Sequence, residues 1–303
     1  MNYEEILKEL ILQDERIVIL TCENRIAIRS LSDKLKDRYI DVGIAEQSLV
    51  GIASGLALQG RIPIVHALSP FLTMRAFEFI RTNIGLQNLP VKLVGSISGF
   101  QSEGNGPTHQ AIEDIALMRL IPNMNIFAPA DNDDLNKCIK NIILSNKPFY
   151  IRYINTDPII EHTSIVEIGK GEKFGGGDIL IITYGLLFTE AYKTALLLIS
   201  KGYSVELINL RFLKPIDEEL IVNSIKKSRI VVTIEDHFST GGLYSIICEI
   251  AIKNNLQINP LPINLNEKWF KPSYLNTILD YEGFSAEKIF KKIINKLGNN
   301  NGK

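Results

Sequence analysis

"DVGIAEQSLVGIASGLALQGRIPIVHAL", residues 41–68, reads as the end of an extended segment, then a helix, then a buried strand. In the helical part, Gly51, Ala53, Ser54 and Gly55 would let the helix approach another backbone closely. RIPIVHAL is a short apolar run rich in β-branched residues, the pattern of a strand. The same alternation covers residues 2 to 153, with RIVIL, PVKLVGSI, MNIFAPA and KPFYIRY as further short runs between helical periods. Strands that alternate with helices imply crossover connections and a parallel sheet covered on both faces.

From Ile154 to Gly177 the rhythm breaks, with Asp157-Pro158 and Gly175-Gly176-Gly177 marking a linker. A second alternation then runs from 178 to 303 through DILIITYG, YSVELINL and RIVVTIED. The expected fold class is α/β, two domains with parallel or mixed sheets at 1–153 and 178–303, and 303 residues suffice for two cores. A hydrophobic fraction of 46%, a charged fraction of 22% and a net charge of −1 give no field to gather nucleic acid or anionic lipid. The acidic start MNYEEILKEL lacks the pattern of a secretory signal, and no apolar run is long enough to span a bilayer, so a cytoplasmic protein is expected. Cys22, Cys138 and Cys248 are odd in number and lack metal-ligand spacing, which fits small apolar residues.

Three stretches carry chemistry. Glu46, at a helix start, is either an exposed acid favoured by the helix dipole or a buried carboxylate able to share a proton with a ring nitrogen. In GSISGFQSEGNGPTHQAIEDIALMRLIPNM a strand ends, a glycine-punctuated loop follows, and a helix is expected from near Thr108. Ligands of open α/β sheets bind beyond the carboxyl ends of strands, which sets His109 at that mouth, as a structural histidine or a general acid/base. SPFLTMRAFEFIR puts Phe71, Met74 and Phe77 at helical spacing, either as core or as an apolar box for a flat heteroaromatic ring.

In this order, GIAEQ, SPFL, GNGPTHQAIEDIALMRLIPNM, PFYIR, LKPID and EDHFSTGGLYS resemble the C-terminal part of transketolases over nearly the whole chain. The resemblance implies a pyrimidine-binding domain followed by a transketolase C-terminal domain, with thiamine diphosphate as cofactor. It puts Glu46 on the family's activating glutamate, which bonds the aminopyrimidine ring and favours its imino tautomer, so that the thiazolium carbon loses its proton to give the ylide. Phe71 falls where the family stacks an aromatic ring on the pyrimidine; Met74 and Phe77 fall among further cofactor contacts. His109 matches the substrate-facing histidine of GPTHQ, and Arg152 falls where an arginine often holds a substrate phosphate, with pairing to a local carboxylate as its other reading. His66 is a further substrate candidate, or a core histidine.

Members commonly read GEDG before PTHQ, whereas this chain has Glu103-Gly104-Asn105-Gly106, so Asn105 offers hydrogen bonds without charge. Ile97 stands where many members carry a histidine, and both departures suggest sugars other than the usual ones. Glu235, Asp236 and His237 are assigned structural roles. The family's diphosphate and metal motif, GDG followed by Asn-Asn, does not occur here, so the resemblance implies a partner subunit supplying it with Mg2+ or Ca2+. A start at Met1 with an amphipathic helix is expected of a complete small subunit, self-associating into the dimer core of a heterotetramer. The alternatives are the β subunit of a 2-oxo acid dehydrogenase, which the GPTHQ segment argues against, a deoxyxylulose phosphate synthase-like enzyme, and a non-catalytic scaffold.

Overall fold

The structure, a computed structural model, describes residues 2–164 and 166–300. The chain divides into two compact units, one of residues 2–98 and 114–168 and the other of 99–113 and 169–300.

In the first unit β1 (Ile17–Thr21), β2 (Tyr39–Asp41), β3 (Ile62–Leu68), β4 (Lys92–Ser96), β5 (Asn125–Phe127) and β6 (Phe149–Arg152) lie in the order β5-β6-β4-β3-β1-β2. Each pairing is parallel. β1, β4 and β6 are buried at every position, as strands covered by helices on both faces must be. The helix Tyr3–Gln13 opens with a capping box in which Asn2 and Glu5 satisfy each other's backbone N–H, and Asp131 caps the helix Asn132–Ile143. The helix Glu46–Leu58 is the crossover from β2 to β3, as the quoted stretch predicts. β2 and β3 flank β1 on opposite sides, so the strand order reverses there.

In the second unit the sheet order is β12-β11-β8-β9-β7, from β7 (Glu172–Gly175), β8 (Ile179–Thr183), β9 (Val205–Asn209), β11 (Ile230–Ile234) and β12 (Pro260–Ile263); β10 (Phe212–Lys214) is a further short strand. β7 is antiparallel to β9 and the other pairings are parallel. β7 lies inside the stretch expected to be linker. Its burial is uneven, as befits an edge strand, and Glu172 is anchored by a buried ion pair with Arg211. Among the described residues no helix is long and apolar enough to cross a membrane.

Residues 99–113 also depart from expectation by packing into the second unit. Phe100 sits edge-on to Phe270 and Phe284, with centroids 5.0 and 4.9 Å away. Its backbone N–H donates to Asp236 Oδ2 at 3.2 Å, and Gln110 Nε2 donates to the Phe270 carbonyl at 2.9 Å. No helix starts at Thr108; Pro107–His109 makes a single tight turn, and a helix forms only at Asp114–Arg119. The intervening backbone is drawn out of helical geometry because Ala111 O accepts from Gly99 N, and Ile112 O from Phe238 N.

Candidate functional site

Where the strand order of the first unit reverses, a cavity of about 340 Å³ opens beyond the carboxyl ends of β1 to β4. This is the crevice in which open α/β sheets bind ligands, because the chain diverges there to opposite sides and leaves a gap. Cys22 to Ile26 line it after β1, Ile44 and Glu46 after β2, Leu68 at the end of β3 and Phe71 beyond it, and Ile97 after β4.

Glu46 is 3% exposed, in the first turn of its helix, facing a wall that is otherwise largely apolar. Of its two sequence readings, the buried one holds. Its Oε2 accepts from Arg75 Nη1 at 2.9 Å, and the Arg75 guanidinium lies 4.4 Å from the centroid of the Phe71 ring. Arg75 thus covers a face of Phe71 while neutralising Glu46, two contacts that a flat ring with a hydrogen-bonding nitrogen could itself make. The Arg75 side chain is 44% exposed and can swing into water. Sequence reasoning gave this residue no role, although it is the one cation in FLTMRAF.

A buried carboxylate, an aromatic face and the apolar side chains of Ile44, Leu68 and Ile97 fit the aminopyrimidine of thiamine diphosphate. Ile97 has φ +62°, strained for a β-branched residue, and such strain gathers at ligand sites. Cys22 is buried at the cavity wall, where burial pushes its thiol up to about 11. Arg25, at the mouth, is paired with Asp41 at 3.0 Å.

The other expected residues divide. Residues 71–75 and 80–85 wind as π-type helix, so the regular spacing assumed for Phe71, Met74 and Phe77 is lost. Met74 is 36% exposed and Phe77 is half-buried, and both lie outside the cavity lining. His66 is a core residue on β3, its Nε2 3.0 Å from the Tyr3 hydroxyl, and burial drives its pKa down to about 3. Arg152 is 4% exposed and pairs with fully buried Asp114, Nε to Oδ2 at 3.0 Å and Nη2 to Oδ1 at 3.5 Å. The local-carboxylate reading is therefore the geometry observed for Arg152. His109 and Asn105 belong to the loop 99–113, His109 half-exposed with Nδ1 3.0 Å from Thr108 Oγ1, and Asn105 exposed. Glu235 accepts from Leu243 N at 2.6 Å and Tyr244 N at 2.9 Å, tying down a helix start, while Asp236 anchors Phe100.

Residues 2–156 match the family described as transketolase, pyrimidine binding domain, and residues 170–289 match transketolase, C-terminal domain. A putative transketolase C-terminal section from Methanocaldococcus jannaschii is 34% identical over 98% of this chain and 95% of its own length. A 6-deoxy-6-sulfo-D-fructose transketolase subunit from Clostridium sp. is 34% identical over 84% of this chain and 80% of its own length. A 1-deoxy-D-xylulose-5-phosphate synthase from Dictyoglomus thermophilum is 36% identical over 88% of this chain, which spans only 44% of that protein. Among solved structures, a split gene transketolase described as an inactive β4 tetramer superposes with a TM-score of 0.87 at 32% identity, covering 98% of this chain and 97% of that one.

Proposed function

The chain belongs to the transketolase family, and from that premise we propose that it is the pyrimidine-side subunit of a split, thiamine diphosphate-dependent transketolase. It transfers a two-carbon ketol unit between sugars once joined to a subunit that holds the cofactor's diphosphate and its Mg2+ or Ca2+. The observation that carries this reading is Glu46, a buried carboxylate facing an aromatic ring in the switch-point cavity.

When bound, thiamine diphosphate supplies the electron sink for the two-carbon unit. The chain's own residues do the rest. Glu46 would hold a ring nitrogen through a shared proton, and its burial would keep that hydrogen bond out of competition with water. Phe71 offers a stacking face, and Ile44, Leu68 and Ile97 exclude solvent. Arg75, which here holds both Phe71 and Glu46, would give way to such a ring. His109 takes and returns a proton at a substrate hydroxyl, and Asn105 offers uncharged hydrogen bonds beside it.

Two similarities support a split enzyme. The archaeal C-terminal section has nearly the length of this chain, and the solved split-gene relative is inactive as a tetramer of one subunit type. The assembly this reading calls for is a heterotetramer with two copies of each subunit, its sites shared across subunits.

The test is to recover the chain with its companion subunit and assay ketol transfer with and without the substitution Glu46→Gln. The parent complex is expected to transfer two-carbon units, and Glu46→Gln to assemble normally while losing about 10²- to 10⁴-fold in rate. Full activity in the Glu46→Gln complex would remove the assignment. Release of carbon dioxide from pyruvate in place of ketol transfer would favour the deoxyxylulose phosphate synthase-like reading.

A further inference from the structure

A second cavity of about 430 Å³ lies beside the first, beyond the carboxyl ends of β1 and β6, and Ile26 lines both. Its volume falls within the roughly 300–1,000 Å³ usual for small-molecule sites. Its polar lining is built of amides and phenols, with Asn2, Asn132, Asn136 and Asn155 joined by Tyr153, and the one formally charged residue in it is Glu4.

We infer that this cavity is the subsite for the far end of the sugar, and that it takes an uncharged polyhydroxylated chain in preference to a phosphate ester. The inference rests on the ketol-transfer reading above.

Amide side chains both donate and accept, as hydroxyl groups do. A phosphate dianion only accepts, and here it would stand beside the Glu4 carboxylate with no Lys or Arg side chain among the described lining residues. Two arginines adjacent in sequence to lining residues are otherwise engaged. Arg152 is buried against Asp114, and Arg25, on the adjoining cavity, is paired with Asp41. Asn132 Nδ2 already donates to Asn155 Oδ1 at 3.2 Å, holding the two amides in register across the opening.

The experiment compares D-fructose with D-fructose 6-phosphate as ketol donors for the assembled enzyme. The parent is expected to use the free sugar with a kcat/KM at least equal to that of the phosphate. Asn155→Arg, which adds a phosphate-binding fork, is expected to shift the ratio roughly tenfold or more toward the ester. Tyr153→Phe, which removes a single hydroxyl, is expected to weaken use of the free sugar and serves if the arginine variant does not fold. A parent that prefers the phosphate by tenfold overturns the subsite while leaving ketol transfer standing. If neither sugar reacts, the proposed function fails, and saturation-transfer NMR of both sugars with the same complex, or with the full chain if no companion assembles, decides the subsite alone. Contact from D-fructose only, lost in Tyr153→Phe, supports it; contact from the phosphate only, or from neither, overturns it.

Discussion

Replacing Asp114 by asparagine tests the part of the architecture that holds Arg152 away from any ligand. Asp114 is fully buried and accepts from the Tyr150 hydroxyl at 2.7 Å as well as from Arg152. Tyr150 in turn bonds Ser69 Oγ at 3.2 Å, and Ser69 lies 2.6 Å from Ser98 Oγ, so one carboxylate organises a buried chain of polar groups. Asparagine keeps an oxygen for Tyr150 but removes the charge facing a guanidinium only 4% exposed. Removing one partner of a buried pair costs about 3–5 kcal/mol, and the retained oxygen places the expectation near the lower end, about 3 kcal/mol. At roughly 2–4 °C per kcal/mol for a unit of this size, the melting temperature should fall by about 6–12 °C. Urea titration of the full chain followed by circular dichroism measures the free-energy change, and a thermal melt the shift in melting temperature. Arg152→Met in the Asp114→Asn background should recover much of the loss, since neutral groups then face each other. An Asp114→Asn chain within about 1 kcal/mol of the parent would refute the reasoning and return Arg152 to the pool of phosphate ligands.

The pH dependence of stability should carry a mark of His66. Its folded pKa, about 3, lies below the ordinary 6.5, so only the unfolded chain takes up the proton as pH falls. The contribution is complete above about pH 6.5 and is lost progressively toward pH 3; urea midpoints of His66→Leu should lack that part of the slope. Gly95→Ala should destabilise by about 1–3 kcal/mol, because a Cβ there would lie 2.5 Å from Ser69 Oγ and 2.8 Å from the Tyr150 ring. A melt of Gly95→Ala indistinguishable from the parent would show that the Ser69 and Tyr150 packing is looser than drawn.

The strand and helix alternation of residues 2–153 was legible because parallel strands buried on both faces are continuous apolar runs, and each of RIVIL, RIPIVHAL, PVKLVGSI, MNIFAPA and KPFYIRY contains one. β2 showed only as the end of an extended segment before Glu46, being three half-buried residues in a charged neighbourhood. Among the residues that line the switch-point cavity, Glu46 and Phe71 are the ones the motifs single out. The spacing argument for Met74 and Phe77 failed because the chain winds with π-type turns, a local geometry that residue pattern does not encode.

The sequence by itself determined the α/β class, two units, the membership that its ordered motifs announce, and the glutamate at the start of the helix after β2. These are local properties, set by periodicity and by residue type. Only the tertiary structure decided that Arg75 closes over Phe71 and Glu46, that Arg152 is held by Asp114, that residues 99–113 pack with the second unit, and that two cavities meet at Ile26. Each of these joins residues from different elements. Which charge meets which partner, and which carbonyl or ring a loop can reach, is settled by distances that exist only after the strands have taken their places.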